Sequence, residues 1–365
     1  IRILKDITYE YLQLIRNFAG HFIPIFCICG IIGNSMALIL LRTDYLLKRL
    51  TSNLYLFILS LSGCLFLATV FICWVDAMLI ELPVYSNSEF GCRFLTFVAH
   101  MSDFNCAYMI SWVSCDRAAV LFRPRSVSRV CTRNFIQFIV YGTILFSCLL
   151  YSLCFILAGL ETAGGKEFCG LTKNITFIGA DFHNQLYFYF TLIDTVICTV
   201  FPSIIIFIVN SIAIYRYRQC MKLYTSGAIK VRFENNENET TPAVLNSNRQ
   251  TLIIHSAKSN TCKMRYSDLK LSFSLIIATS TFVCLTFPNY CFRIYNFWFD
   301  PTSPYVSFAS FVTHLLHYLH HAILAYIYVF WSPHMKKQLK PAALRLLECY
   351  CFKSAVERDL EMVVH

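Results

Sequence analysis

The chain has 365 residues, of which 57% are hydrophobic and 14% charged, and its formal net charge is +10. Soluble domains carry roughly 25% charged residues, so this composition excludes an ordinary soluble protein and points to a lipid environment. A nucleic-acid partner is not needed to explain the basic excess, because Lys and Arg also collect on the cytoplasmic side of membrane proteins.

Long apolar runs dominate the sequence, and a helix needs about 20 such residues to cross a bilayer core of about 30 Å. Barrel strands would be about ten residues long and alternating, so the runs predict helices. A large soluble helical protein would need polar faces on most of its helices, and these runs lack them. The fold class is therefore an all-α bundle of seven transmembrane helices. The predicted spans are 20–42, 53–79, 94–122, 134–158, 185–214, 270–297 and 305–331, within a transmembrane domain of 20–331.

Alternate loops between the predicted spans lie on opposite sides of the membrane, and basic residues are unevenly distributed between these two sets of loops. One set holds Arg42, Arg123 and many further basic residues up to Lys270, whereas the opposite set has few, among them Lys166 and Lys173. Basic short loops stay cytoplasmic, so the N-terminal segment 1–19 is predicted outside and the C-terminus inside. This places the protein in the plasma membrane as a multi-pass chain. We see no cleavable signal peptide, and the first span would serve as targeting signal.

Three segments on the cytoplasmic side depart from the apolar pattern. Residues 219–267 are rich in Asn, Glu and Thr and predict a long flexible loop. Residues 332–348 mix Lys and Leu in an amphipathic pattern, which predicts a short helix lying on the inner membrane surface. Cys349 and Cys351 follow it in the tail 349–365, where S-palmitoylation is expected.

Two cysteines lie on the predicted outer side, where disulfides persist. Cys92 opens the third span and Cys169 lies in the following outer loop, so we predict a bridge that ties this loop over the third helix. Most other cysteines fall inside spans and are interpreted as small apolar side chains. Asn174 begins an Asn-Ile-Thr sequon in the same loop and is the predicted glycosylation site.

Several residues occur in an order and spacing that resembles the rhodopsin-like (class A) G-protein-coupled receptors, over about residues 20 to 351. They are Gly33, Asn34, Cys92, Asp116, Arg117, Pro202, Phe282 and Pro288. The resemblance implies a receptor that binds an extracellular ligand and activates a heterotrimeric G protein, with arrestin as a further partner. No cofactor is implied. The chain lacks a nucleophile-base motif and a glycine-rich phosphate loop, which also disfavours an enzyme.

The resemblance implies an activation switch at the inner end of the third helix. Arg117 lies near lipid, where an unpaired charge is costly, so it needs a carboxylate partner. The two candidates are its neighbour Asp116 and Asp268, at the start of the sixth helix. A salt bridge between two helices is a two-state element that a ligand can bias. The remaining switch positions of the family hold Phe282, Pro288 and Tyr328.

The chain also departs from the family. Gly63 replaces an acid in the second helix, and Leu324 and Ala325 replace the Asn and Pro that precede Tyr328. Since Gly and Leu have no side-chain oxygen, we expect no sodium-dependent allostery at this site. Family aromatic positions hold other residues here, namely Thr286, Ala118 and Asn210. The departures indicate a divergent branch of the family, or a receptor that no longer signals.

Acids inside the spans are the main candidates for ligand binding, because ionisable groups there are costly. Asp103 lies eleven residues after Cys92, or about 16 Å down the helix. Asp194 lies in the fifth span, at a position that faces the ligand cavity in the family. The resemblance disfavours monoamines, whose receptors carry an acid at Ala99, and retinal, which needs a lysine at Tyr318.

The seventh span contains His314, His317, His320 and His321. Three of them, at 314, 317 and 321, share one face of a helix. A metal site and a proton sensor are alternatives for such a set. The preferred interpretation assigns no metal and has the histidines line the pocket and hydrogen-bond neighbours such as Asp103.

Arg293 and Asp76, with Thr286 below, complete a pocket that holds both signs of charge. Its aromatic walls include Trp74, Tyr290, Tyr295 and Trp298. We expect an extended ligand with a basic side chain, best matched by a short amidated neuropeptide of the invertebrate type, whose arginine would pair with Asp103 or Asp194. The alternatives are a chemosensory or lipid receptor, a non-signalling decoy, or a transporter or channel, although the chain lacks the internal repeats of transporters.

Overall fold

The computed structural model describes most of the apolar part of the chain. The described residues are 15, 20–43, 45–48, 51–79, 88–122, 132–163, 166–171, 180–225, 266–299, 304–331, 340, 341 and 344. Side-chain positions are described for most of these residues, but not for 46, 161–163, 166–168, 170, 171, 180–184, 220, 223–225, 266–271, 296–298, 304, 307, 328, 330 and 331.

Seven long helices lie in this described part and confirm the predicted bundle. Their bounds are α1 Ile23–Thr43, α2 Asn53–Met78, α3 Glu89–Phe122, α4 Arg133–Tyr151, α5 Ala180–Thr195 continued by Val196–Val200 and Phe201–Thr225, α6 Tyr266–Phe299 and α7 Pro304–Trp331. Single helical turns at Tyr45–Lys48 and Cys154–Leu157 follow α1 and α4.

Five of the described helical segments are long and apolar enough to cross a bilayer by length and composition alone. They are Ile23–Thr43, Asn53–Met78, Arg133–Leu157, Gln185–Gln219 and Ser272–Tyr295. Two long helices are not in this set. Helix α3 contains Asp103 and Arg117, and helix α7 contains the four histidines. Charged side chains also lie in two of the five apolar segments, since Asp194 belongs to α5 and Arg293 to α6.

The helix ends differ from the sequence prediction on the inner side. Helix α5 continues to Thr225 and α6 begins at Tyr266, so helical structure extends into both ends of the range 219–267 that was predicted as a loop. Apolarity marks the part of a helix that lies in lipid, whereas the helix itself continues wherever its backbone hydrogen bonds remain intact. Polar turns such as the one with Arg218 therefore escape a prediction based on hydropathy.

Helix α5 changes its hydrogen-bond pattern in the middle of the membrane. Val196–Val200 is a π-helical segment, and the N–H of Phe201 bonds the carbonyl of Val196. Pro202 follows directly and has no N–H to donate, so the regular bond to Cys198 cannot form. Such π segments often occur at functional sites, and this one begins two residues after Asp194.

Helices α1 and α7 approach closely at two glycines. A Cβ on Gly30 would lie 2.7 Å from the Cα of Ala322, and one on Gly33 would lie 2.6 Å from a ring carbon of Tyr326. Asn34 adds a hydrogen bond of 3.1 Å to the carbonyl of His321. These contacts position α7, and with it the histidines.

The outer end of α3 is covered by an antiparallel hairpin, β1 Ala158–Ala163 and β2 Lys166–Leu171, which the all-α prediction did not include. Cys92 and Cys169 form the predicted disulfide, with a Cα–Cα distance of 5.5 Å. The guanidinium Nε of Arg93 also donates to the carbonyl of Ala158, at 3.2 Å. The hairpin is therefore held by a covalent bond and a polar contact to the same helix.

Candidate functional site

The two acids predicted as ligand-binding candidates lie inside the bundle, but they differ in exposure. The side chain of Asp194 on α5 is 3% exposed, whereas that of Asp103 on α3 is 16% exposed. Each acid is surrounded by its own set of polar side chains. We call these sets the Asp194 cluster and the Asp103 cluster.

The Asp194 cluster contains a permanent cation. Nη2 of Arg293 on α6 lies 2.8 Å from Oδ2 of Asp194. The hydroxyl of Tyr151, at the end of α4, donates to Oδ1 at 2.7 Å, and the thiol of Cys198 lies 3.3 Å from the same oxygen. Because arginine stays protonated, the charge of this carboxylate is balanced within the protein.

The Asp103 cluster balances its acid differently. Nε2 of His321 and Nε2 of His317 lie 3.2 and 3.4 Å from Oδ1, and the hydroxyl of Tyr290 donates to Oδ2 at 3.3 Å. Imidazole and phenol are neutral in their ordinary states near neutral pH. All three distances lie at or beyond the upper end of good hydrogen bonds to a carboxylate. The described surroundings of Asp103 therefore offer no permanent positive charge in direct contact.

Tyr290 connects the two clusters. Its hydroxyl contacts Asp103, while the guanidinium carbon of Arg293 lies 5.9 Å from the centre of its ring. His100 fills the space on the α3 side, and its ring stacks against Tyr151 with the centroids 5.6 Å apart. A ligand that enters between α3, α5, α6 and α7 would meet both clusters together.

The four histidines of α7 have two kinds of partner. His317 and His321 contact Asp103. The ring of His321 also stacks on that of Phe66, with the ring centroids 4.0 Å apart. His314 and His320 instead place Nδ1 against backbone carbonyls of their own helix, at 2.8 and 2.7 Å. The structure thus separates two histidines that contact the acid from two that bond their own backbone.

The remaining predicted pocket residues have mostly packing contacts. The hydroxyl of Thr286 is buried and donates to the carbonyl of Phe282 at 2.8 Å, so it stays within α6. The ring of Tyr318 packs against that of Phe66, with the ring centroids 6.1 Å apart. Ala99 is half-buried on α3, and Asp76 lies near the outer end of α2.

Sequence reasoning missed His100 and Tyr151. His100 lies three residues before Asp103, so helical spacing on α3 was a usable signal for it. Tyr151 had no such signal, because its hydroxyl reaches an acid on a different helix, 43 residues away in sequence.

At the inner end of the bundle, Arg117 is buried and pairs with its neighbour Asp116. Thr51 joins them, since its hydroxyl donates to Oδ2 of Asp116 at 2.9 Å and accepts from Nη2 of Arg117 at 3.2 Å. Asp116, one of the two acids predicted to pair with Arg117, therefore does so in the structure. The side chain of Asp268 lies outside the described residues, so its role stays a prediction.

Two further switch positions lie in α6. Phe282 is buried, and its ring meets that of His320 edge-on at 5.0 Å. Pro288 lies inside the helix and interrupts its hydrogen bonding, as proline does. The side chain of Tyr328 is outside the described residues.

The region that binds sodium in the family has an altered composition. A Cβ on Gly63 would lie 3.2 Å from the amide oxygen of Asn34, and Leu324 contributes buried apolar surface. Neither residue offers a side-chain oxygen to a hard cation. The expected loss of sodium-dependent allostery stays a prediction.

The predicted modification sites and peripheral segments fall outside the described residues. These are the sequon at Asn174, the tail cysteines Cys349 and Cys351, and most of the predicted surface helix 332–348.

Comparison with known families identifies one match. The model for the 7 transmembrane receptor (rhodopsin family) covers residues 33–330. No curated protein matches the chain. The matched range extends from Gly33 on α1 to the penultimate residue of α7, and it includes both clusters as well as Arg117.

Proposed function

The chain belongs to the rhodopsin family of seven-transmembrane receptors, and we propose that it binds a short amidated neuropeptide from the outer side and activates a heterotrimeric G protein. The N-terminus is then extracellular, and the inner end of α3 faces the G protein. One observation carries the choice of ligand: of the two candidate acids Asp103 and Asp194, only Asp194 directly contacts a permanent cation among the described residues.

Asp103 receives the basic group of the ligand. Its partners His317, His321 and Tyr290 are neutral in their ordinary states and make long contacts with it, so a guanidinium or ammonium group gains more here than at Asp194. A charge-assisted pair is shorter and roughly twice as strong as a neutral hydrogen bond. The sequence left Asp103 and Asp194 as alternatives for this role, and the contacts favour Asp103.

Arg293 receives the opposite end of the peptide. Its side chain is 25% exposed, and the guanidinium carries five N–H donors, of which one on Nη2 bonds Asp194. Peptide carbonyls and a terminal amide supply the acceptors. A ligand with a basic side chain and a carboxamide end therefore complements both clusters.

The buried group of Arg117, Asp116 and Thr51 supports the coupling step. Ion pairs at the end of a helix have alternative arrangements, and a ligand that binds one of two states better shifts the population toward it. Release of Arg117 from Asp116 and Thr51 would present a guanidinium to the G protein.

The test uses the full chain expressed with promiscuous G-protein reporters and an amidated peptide library, with and without arginine. We expect an arginine-containing peptide to activate the receptor. Asp103→Asn should then raise the half-maximal concentration by about tenfold or more, because a hydrogen bond between charged groups is worth about 1.5–3 kcal/mol. Surface expression is measured in parallel.

Glu89→Gln is the matched control, since Glu89 is an exposed acid on the same helix that pairs with Arg93. It should leave the dose response unchanged. An equal response of wild type and Asp103→Asn, at equal surface expression, would contradict the assignment of Asp103. Activation by lipids or odorants, with every peptide inactive, would contradict the ligand class.

A further inference from the structure

The Asp103 cluster has the composition of a transition-metal site. Two imidazole nitrogens and one carboxylate oxygen, from His317, His321 and Asp103, lie within 4.8 Å of one another. Zinc sites with an open coordination position commonly use three protein ligands of these types, including two histidines with one carboxylate. Asp103 and His317 also belong to the proposed ligand pocket, so a metal ion and the basic group of a peptide would exclude one another at Asp103, and metal binding is measured in the absence of peptide.

The distances match metal ligation better than direct hydrogen bonding. Zinc bonds of about 2.0–2.1 Å at tetrahedral angles place neighbouring ligand atoms about 3.3–3.4 Å apart. The Nε2 atoms of His321 and His317 lie 3.2 and 3.4 Å from Oδ1 of Asp103. A charged N–H···O⁻ bond would be about 2.7–2.9 Å long. Both nitrogen–oxygen distances thus match the separation of two ligands on one small cation, and all three ligand atoms lie within 4.8 Å of one another.

Charge balance leads to the same conclusion. Asp103 lies about 16 Å down α3 from Cys92 by the rise of a helix, and buried carboxylates need a compensating positive charge. Tyr290, the further described partner of the acid, is a neutral phenol. A divalent cation bound by the carboxylate and the two imidazoles would supply this positive charge.

The positions of the ligands suit a bound ion. His317 and His321 are one turn apart on α7 and face α3, and Asn34 holds the carbonyl of His321 from α1. His321 stacks on Phe66, which fixes the plane of its ring. Nδ1 of His317 is buried and lacks a hydrogen-bond partner among the described residues, so the polar contact that the structure describes for this ring is made through Nε2.

We propose that Asp103, His317 and His321 bind a divalent transition metal, with Zn²⁺ as the best match, and that a water or a ligand group occupies the remaining position. The ligand types determine which metal is preferred, because imidazole suits zinc and copper, whereas Ca²⁺ and Mg²⁺ require oxygen ligands. The side chain of Asp103 is 16% exposed, so its carboxylate is accessible to a fourth ligand of the metal. The site bridges α3 and α7.

The experiment measures the metal directly on the purified full chain, first stripped with a chelator. Titration with Zn²⁺ against a fluorescent zinc indicator gives stoichiometry and affinity. We expect one ion bound per receptor, with affinity reduced about tenfold or more in Asp103→Asn and in His321→Gln, in line with the sensitivity of metal sites to changes around the ion. Thermal unfolding is recorded for each variant.

His314→Gln is the matched control, because His314 lies on the same helix but bonds the carbonyl of Ser310. It should bind zinc like the wild type. Prior alkylation of accessible thiols removes binding to the free cysteines. Zinc affinity that is equal in wild type, Asp103→Asn and His321→Gln would overturn the proposal, as would the absence of tight binding by the folded wild type.

Should a variant fail to fold, the wild type still provides a test. Co²⁺ in a tetrahedral site with nitrogen ligands absorbs strongly in the visible range, whereas a six-coordinate aqueous ion absorbs weakly. An intense visible spectrum that is displaced by one equivalent of Zn²⁺ would support the site. A weak aqueous spectrum would overturn it, whether or not any peptide activates the receptor.

Discussion

The two acids Asp103 and Asp194 balance their charge in different ways. Asp194 is almost fully buried and contacts Arg293, Tyr151 and Cys198 at ordinary hydrogen-bond distances. Asp103 is more exposed, and its contacts with neutral side chains are long. An acid inside the bundle is therefore not by itself a binding site. An acid paired with arginine has its charge balanced within the protein, whereas an acid without a fixed cation lacks this balance.

Among the variants considered, one that disrupts the Asp194 cluster should lose the most stability. Arg293→Met would leave the carboxylate of Asp194 buried without its cation. Loss of one partner of a buried pair costs about 3–5 kcal/mol, and we expect about 3 kcal/mol here because Arg293 is partly exposed. Thermal unfolding of the purified receptor measures the change.

A double variant shows whether the cost comes from the unpaired charge. Adding Asp194→Asn to Arg293→Met removes that charge, so most of the lost stability should return. Glu89→Gln, which disrupts an exposed ion pair, is the control and should change stability by a few tenths of a kcal/mol. If the double variant were no more stable than Arg293→Met, the pair would not be the reason for the loss.

The second effect concerns α7, which supplies the histidines of the Asp103 cluster. Gly30→Ala would place a Cβ 2.7 Å from the backbone of Ala322, the residue after His321. Overpacking of this kind typically costs about 1–3 kcal/mol. We expect a lower unfolding temperature, together with weaker zinc binding because α7 must shift.

Gly142→Ala provides the matched control for this substitution. A Cβ at Gly142 on α4 would meet no described atom within 4 Å. Alanine is the better helix former by about 1 kcal/mol, so this variant should be as stable as the wild type or slightly more so. Equal destabilisation by both substitutions would show that close packing at Gly30 is not the cause.

Much of this architecture could be predicted from the sequence, because the bilayer imposes it. A span of fixed length must be apolar, so the helices were recognisable, and an acid inside a span is costly enough to stand out. The disulfide of Cys92 with Cys169 followed from the predicted outer side of the membrane. These predictions depend on properties that each segment carries by itself.

The partners of the acids could not be predicted in the same way. Arg293 and Asp194 are 99 residues apart, and Tyr151 reaches Asp194 from α4. Which side chains meet depends on the rotation of each helix and on close contacts such as that of Gly30 with Ala322. The π segment in α5 is a further example, since hydropathy contains no sign of a change in hydrogen bonding.

The comparison of paired and unpaired acids also applies to Asp116, at the inner end of the bundle. Asp116, like Asp194, is buried with an arginine, and the hydroxyl of Thr51 bonds both Asp116 and Arg117. Thr51→Val keeps the shape and removes about 1 kcal/mol of hydrogen bonding, which can shift a two-state equilibrium about fivefold. We expect higher basal signalling in a reporter assay, normalised to surface expression.

The control for Thr51 is Thr43→Val, because the hydroxyl of Thr43 is exposed and bonds the carbonyl of Ile39 in its own helix. Its basal signal should equal that of the wild type. Equal basal signals for Thr51→Val and wild type would mean that this hydroxyl does not hold the inactive state, and that the restraint on Arg117 lies elsewhere.

The smallest expected effect on stability is also the sharpest test of the comparison. Asp103→Asn keeps the shape of the side chain and leaves neutral neighbours, so no charge becomes unpaired. In the metal-free receptor it should change the free energy of unfolding by less than about 1 kcal/mol, because only long hydrogen bonds are altered. Arg293→Met, measured side by side, should cost several times more. A loss of similar size in the two variants would mean that Asp103 is paired as firmly as Asp194, and a ligand cation would then gain no advantage at Asp103.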